Sequence, residues 1–397
     1  MLPSIEEIFA IDREYLQRNR CLPASVSDWH LKDAVYDLPN IPHFRDASGS
    51  PYGLADYLFS DSRGPEKRVV LSYIERRLGL DASRFSVSVF TNATAALFSL
   101  LVHLTSGRDA RVLVQTPFYF SIAGALRFCS AHGVMFHVRA DDNYSFDADA
   151  FVRMVDDQAI DIAILTDPMY CTGIRNTEQL LPVIAALADR NVVCLVDSSA
   201  GGFEAASRIP IIEPLYVDAV SRFKNLFYID SPTKRMLINS AKHALIFGDP
   251  TTLEKIEGLA DHFAGSLTRE QLIVLAQVFS DEAWPSITAA CHSNAVRLAR
   301  GLAFASAVCS EHDTVAVSPR EAGVYALVDR SDVRQRKLNA SAFYKAMLTQ
   351  SDIRALPGHL FGLSNSDRMA IRINLFRHPS IIDKAIAAFS KLDVEPA

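Results

Sequence analysis

Asp230-Ser231-Pro232-Thr233-Lys234-Arg235, with Lys242 eight residues after Lys234, places an amine beside groups that can hold an anion. The Lys234 amine can form a Schiff base with an aldehyde, while Ser231 and Lys242 can hold a phosphate. Upstream, the apolar run Val192-Val193-Cys194-Leu195-Val196 ends in Asp197 and then Ser198-Ser199. A carboxylate at a buried strand end needs a partner. A pyridinium N–H would supply one, and the ion pair would keep the ring protonated as an electron sink. An acid after one buried strand and a lysine after a later one can therefore hold the two ends of pyridoxal 5'-phosphate. Each residue also has a plainer use. Asp197 could cap the helix that follows it. The lysine stretch, which includes Arg235, could be a basic surface loop.

Three further segments offer matching chemistry. Phe90-Thr91-Asn92-Ala93-Thr94-Ala95-Ala96-Leu97 is a strand end running into a helix. Small residues such as Ala93 and Thr94 let the backbone approach a phosphate, which the first-turn amides and the helix dipole then hold. A simple N-cap by Thr91 or Asn92 would give the same pattern. Thr116-Pro117-Phe118-Tyr119-Phe120 follows another strand, and an aromatic there can stack on a planar cofactor or fill the core. Arg372 lies in Met369-Ala370-Ile371-Arg372-Ile373-Asn374-Leu375. A cation inside an apolar strand is costly without an anion. Its planar fork suits a substrate carboxylate, with a structural salt bridge as the other use. Arg368 is expected to be solvated.

The elements around these residues set the architecture. From about residue 85 to 250, short apolar runs alternate with amphipathic stretches. The expected strands are 86–90, 111–115, 135–138, 161–165, 192–196, 226–229 and 243–247. The expected helices include 93–104, 122–132 and 177–189. Continuous apolar strands separated by helices imply a mostly parallel sheet covered on both faces, an α/β fold. Ligands of such sheets sit at the carboxyl ends of the strands, where nearly every residue singled out here falls. A long helical pattern follows Thr268, breaks near Pro285 and runs towards Leu302. A smaller α/β unit follows, with strands at 324–328 and 369–375. The chain is expected to divide into a large domain, 56–280, and a small one formed by 1–55 and 281–397.

Composition narrows the function. At 397 residues, 49% hydrophobic and 22% charged, the chain has an ordinary globular balance and room for two domains. The formal charge of −6 gives no reason to expect nucleic acid or an anionic membrane as partner. No apolar run reaches the length of a membrane span. The acidic start, Met1-Leu2-Pro3-Ser4-Ile5-Glu6-Glu7, lacks the features of a signal peptide. Six scattered cysteines without metal-like pairing fit a reducing cytoplasm. No metal is expected.

In this order the motifs resemble the class I/II aminotransferases, which are fold-type I pyridoxal-phosphate enzymes. The resemblance runs from about Gly64 to Leu375. Gly64-Pro65-Glu66-Lys67-Arg68 is similar to the family's glycine and Pro-Glu-Leu-Arg-like segment. Asn92-Ala93-Thr94-Ala95-Ala96-Leu97 resembles its phosphate-binding motif. Tyr119 takes the place of the ring that stacks on the cofactor. Asp167-Pro168-Met169-Tyr170-Cys171-Thr172-Gly173 resembles Asn-Pro-x-Asn-Pro-Thr-Gly, with Tyr170 beside the cofactor. Asp197 matches the pyridine-nitrogen aspartate. Ser231, Lys234 and Lys242 match the lysine segment and its later arginine. Leu356-Pro357-Gly358, Phe361-Gly362 and Arg372-Ile373 match the carboxylate-binding segment.

The resemblance implies a cytoplasmic, homodimeric aminotransferase that uses pyridoxal 5'-phosphate to move an amino group from an amino acid to a 2-oxo acid. Lys234 would carry the cofactor and act as base, Asp197 would hold the ring protonated, and Arg372 would bind the α-carboxylate. The sequence departs from the family at the cofactor's phenolic oxygen, where Tyr170 replaces an asparagine and Ala200 a tyrosine. Lys242 replaces an arginine, Asn92 a glycine, and Phe59 a tyrosine that reaches across the dimer. Local similarity of 197–203 and 234–242 to pyridoxal-phosphate arginine oxidases, hydroxylases and related cyclases keeps a non-transaminating enzyme as the alternative. A degenerate ligand-binding homologue is the third reading, and retention of Lys234, Asp197 and Arg372 argues against it.

Overall fold

In the computed structural model the apolar runs between residues 86 and 248 pair into one seven-stranded sheet. The structure describes residues 64–393 apart from 140–141, 202–210, 237, 239–240, 264, 266, 319–323, 334–339, 352, 354 and 364–367. It also describes the strands 41–45 and 51–52. Phe59 and Cys21 lie outside the described residues.

In chain order, β1 (Ile41–Arg45) and β2 (Pro51–Tyr52) form a small antiparallel pair. Helix α1 (Gly64–Tyr73) leads into β3 (Ser86–Phe90), α2 (Ala93–Thr105), β4 (Arg111–Thr116), α3 (Ser121–Phe128) and β5 (His132–His137). Then come α4 (Ala148–Asp157), β6 (Ile162–Thr166), α5 (Thr177–Asp189), β7 (Val193–Asp197), α6 (Pro214–Arg222) and β8 (Leu226–Asp230). The short α7 (Pro232–Arg235) follows, then β9 (Ala244–Gly248), α8 (Pro250–Phe263), α9 (Arg269–Val278) and α10 (Trp284–Cys309). The last part holds β10 (Val315–Val317), β11 (Tyr325–Arg330), α11 (Ala340–Ser351), β12 (Leu356–Pro357), β13 (Met369–Asn374) and α12 (Pro379–Lys391).

The large sheet runs β3-β9-β8-β7-β6-β4-β5. The strands from β5 to β8 are parallel, and β9 is antiparallel to both its neighbours. β6 and β8 are buried at every position, as continuous apolar strands under helices on both faces require. One apolar core lies on each face of this sheet, and one of them reaches into the C-terminal part through Leu327, Phe361, Leu363 and Ala370. The C-terminal part forms an antiparallel sheet, β10-β11-β13-β12, with its own core. Strand β1 lies against α1 and α9, so this described piece of the first 55 residues touches helices of the 56–280 range.

Most strand boundaries fall within a residue or two of the sequence expectation, and two differences are larger. The helix expected over 122–132 stops at Phe128, because Ser130 turns left-handed at φ 53° and the His132 amide donates to Ala110 O at 2.9 Å. Parallel pairing of Arg111 with His132 then starts β5 there. The pattern after Thr268 is two helices, with Pro285 in the first turn of the second, where its missing N–H costs nothing.

Candidate active site

The carboxyl ends of β6, β7 and β8 lie level. Thr166 pairs with Asp197, which pairs with Ile229, so Asp167, Asp197 and Asp230 emerge along one edge. Each carboxylate has a different environment. Asp167 is fully buried and accepts from the Asn176 amide at 2.7 Å, the Tyr216 hydroxyl at 2.7 Å and the Thr177 hydroxyl. Arg175 Nη1 stands 3.8 Å away. These donors satisfy the buried charge and pin the loop that carries Tyr170. Asp197 accepts from the Ser199 amide at 2.9 Å through Oδ1. Among the described residues its Oδ2 has no hydrogen-bond partner, and the buried hydroxyls of Ser198 and Ser199 have none either.

Lys234 sits on α7, just past β8. Its side chain is half-buried and makes no hydrogen bond among the described residues. Nζ lies 5.7 Å from the centre of the Tyr119 ring, within reach of a cation–π attraction. Burial pushes the Lys234 ammonium below the ordinary lysine range; Asp197 opposes this and Lys242 adds to it. An amine shifted this way is a better nucleophile and base near neutrality.

The segments expected to hold an anion are tied together through backbone groups. Asn92 caps α2, its Oδ1 accepting from the Ala95 amide at 2.9 Å, so the N-cap use is realised. The amides of Ala93 and Thr94 find no acceptor among the described residues and stay available, as first-turn amides do. Gln271 ties this turn to Lys242, because its Nε2 donates to Thr91 O at 3.0 Å and to Lys242 O. The sequence shows Gln271 only as the third residue of a capping box with Thr268. Its reach to two distant loops has no local signal. Lys242 is exposed. The Ser231 hydroxyl donates to His243 O at 3.0 Å, so it must rotate before it can donate to a phosphate.

Arg372 closes the other side. Its Nη1 donates to the Tyr170 hydroxyl at 2.6 Å, and its guanidinium lies 4.1 Å from the centre of the Tyr325 ring and 5.5 Å from that of Phe361. Among the described residues no carboxylate pairs with it, so the structural salt bridge is absent there. Tyr325 pairs with Asn374 across β11 and β13, which sets its ring diagonally over Arg372 on one face of the small sheet. The sequence analysis missed Tyr325 because this contact is set by strand register. The Tyr170 ring stands 5.6 Å from Tyr119 and 5.4 Å from Phe361, which joins Lys234, Tyr119, Tyr170 and Arg372 into one chain of contacts. Burial pushes the Tyr170 hydroxyl well up, keeping it neutral, and Arg372 pulls the other way.

Two sequence expectations are corrected. Arg235 is no part of a basic surface loop: it is 2% exposed and pairs with Asp230 at 2.9 Å. Arg368 is half-buried rather than solvated. Ala200, at the family's tyrosine position, is half-buried and offers no hydroxyl.

The fold is that of a fold-type I α/β enzyme, with Lys234 and Asp197 just past or at strand ends of the large sheet and Arg372 on the small one. The chain belongs to the class I and II aminotransferase family, whose model matches residues 70–389. That family is generally dependent on pyridoxal phosphate. The aspartate aminotransferase from Thermus thermophilus with maleate is similar in fold: TM-score 0.69, 14% identity, 85% of this chain and 84% of that one covered. Substrate-bound BacF from Bacillus subtilis has TM-score 0.69 and 17% identity, with 99% and 96% covered. YbdL from Escherichia coli, described as having a methionine aminotransferase function, has TM-score 0.65 and 17% identity, with 82% of each chain covered. No curated protein matches the sequence. Among the described residues no helix is long and apolar enough to cross a membrane, and no cluster of side chains could hold a metal ion.

Proposed function

We propose that this enzyme transfers the amino group of a 2-amino acid to a 2-oxo acid, with pyridoxal 5'-phosphate held between Lys234 and Asp197. The donor set fits that cofactor: an amine, a carboxylate oxygen and two first-turn helix amides with no hydrogen-bond partner among the described residues, and a nearby second lysine. When bound, the cofactor supplies a pyridinium ring that takes up the electrons released as the α-C–H bond breaks.

The chain's residues do the rest. Asp197 holds a proton on the pyridine nitrogen. Lys234, whose ammonium burial pushes below the ordinary lysine range, would take the proton from the α-carbon and hand it to the cofactor carbon that retains the amino group, so that the substrate leaves as a 2-oxo acid. Arg372 binds the α-carboxylate with its fork. Tyr170 fixes the guanidinium from one side, and Tyr325 fixes its plane. The Ala93 and Thr94 amides, Lys242 and a rotated Ser231 receive the phosphate, and Tyr119 offers a ring face. The observation that carries this reading is the half-buried, unpaired Lys234 amine, linked through Tyr119 and Tyr170 to a guanidinium that has no carboxylate partner among the described residues.

The reading includes a homodimer in the cytoplasm, on the strength of the family resemblance, and a large domain, 56–280, set against a small one built from 281–397 with the chain start. A non-transaminating reaction (oxidation, hydroxylation or cyclisation) on the same frame is the second reading. It is favoured by Ala200, which lacks a hydroxyl, and by Tyr170, whose hydroxyl is engaged by Arg372. The test is the purified, cofactor-loaded protein mixed with one amino acid. Transamination predicts a single stoichiometric burst of 2-oxo acid that becomes continuous when a second 2-oxo acid is added. Oxygen uptake, or turnover without an acceptor, would reject it.

A further inference from the structure

The loops that carry Lys234 and Asp197 are joined by one buried guanidinium. Arg235 directly follows Lys234. Its Nη2 donates to Asp230 Oδ2 at 2.9 Å, and its Nε donates to Gly201 O at 3.1 Å, in the loop that follows Asp197. Its own carbonyl accepts from Asn294 Nδ2 of α10 at 3.0 Å. Asp230, the last residue of β8, also accepts from the Ser231 amide at 2.6 Å and from the Tyr228 hydroxyl. The Gly201 loop is closely packed: a Cβ there would lie 3.0 Å from Arg175 Nη2 and 3.2 Å from Pro168 Cδ.

A buried ion pair alone would need only Asp230. The second bond, from the same rigid fork to Gly201 O, is what couples the two loops. We propose that Arg235 is a positioning residue that fixes where Lys234 stands relative to Asp197. The inference rests on the reading of those two residues as the ends of the cofactor site. A lysine at 235 would keep a charge for Asp230 but, as a point donor on a flexible stem, would not hold both partners in one geometry.

The discriminating variant is Arg235→Lys, studied in the full-length protein loaded with pyridoxal 5'-phosphate. The expected result is a cooperative melt, an unchanged KM for the amino acid, and a kcat lower on the order of 100-fold, the size that a misplacement of about 1 Å carries. The pH midpoint of the bound cofactor's absorbance should move as well. A variant that melts lower yet keeps its kcat and its absorbance midpoint overturns the proposal and leaves Arg235 a stabilising pair. If the variant does not fold, hydrogen exchange on the cofactor-free wild type decides. The amides of Ser198, Gly201 and Lys234 donate to Ile229 O, Ser198 O and Ser231 O, and they should open as one unit with one denaturant dependence. Independent opening overturns the proposal. A borohydride-trapped cofactor label on a lysine other than Lys234 would instead reject the site reading, and the exchange result would still stand on its own.

Discussion

Arg372 shows how one residue is defined by its neighbours. The strand places a guanidinium on the small sheet, Tyr325 stacks on it, and the Tyr170 hydroxyl accepts a hydrogen bond from it. Arg372→Ala is expected to weaken amino-acid binding by about 2–5 kcal/mol, the cost of leaving a desolvated carboxylate unpaired. An amine lacking the carboxylate should bind as before. Tyr170→Phe should move in the same direction by about 1 kcal/mol, since it removes one hydrogen bond that orients the fork. Titration calorimetry with an amino acid and its decarboxylated analogue reads both. Equal losses for the two ligands would make Arg372 structural. The sequence reading found Arg372 because a cation in an apolar strand is conspicuous by itself. It missed Tyr325, and it took Arg235 for a possible surface residue. The Arg235 side chain is buried by Asp230, Gly201 and its surroundings, and a run of basic residues looks solvated until the buried acid five residues earlier is placed beside it.

At the scale of elements, the strands were readable to within one to three residues, because runs such as 162–166 and 226–230 are apolar at nearly every position and end in polar residues that cannot continue the core. The end of α3 was not readable, because it is set by pairing of β5 with β4 and not by the composition of the helix. Just before β9, His243 is fully buried, and among the described residues neither ring nitrogen has a hydrogen-bond partner. Burial pushes it down to about 3. In the folded state the ring therefore stays neutral, while the unfolded chain takes up a proton below about 6.5. The resulting stability is fully present above 6.5 and is lost as pH falls towards 3, by about 1.4 kcal/mol per pH unit. His243→Leu should flatten that part of the acid limb in urea unfolding measured between pH 7 and pH 4. An identical slope in both proteins would mean that the ring is protonated without cost. The same stretch carries Lys242 and the Gln271 clip, so acid should loosen the phosphate side of the site first.

For the whole molecule, the question is how the small sheet is held over the strand ends of the large one. The Phe118 amide donates to Phe361 O at 3.1 Å, which joins the loop after β4 to the turn before β13. Gly362, at φ +82°, presses on that loop: a Cβ there would lie 2.5 Å from Phe118 Cε1 and 2.8 Å from Thr116 Cγ2. Gly362→Ala is therefore expected to cost on the order of 1–3 kcal/mol in denaturant unfolding, and to weaken amino-acid binding because Phe361 and Arg372 shift relative to Tyr170. Unchanged stability would show that the two parts slide freely at this point. The assembled site has a centre, Lys234, and one measurement tests it most directly. The protein is incubated with pyridoxal 5'-phosphate, reduced with borohydride, digested and mapped. The account predicts a single stoichiometric label on Lys234, abolished in Lys234→Ala. A label on Lys242 or any other lysine, or no label at all, would contradict it.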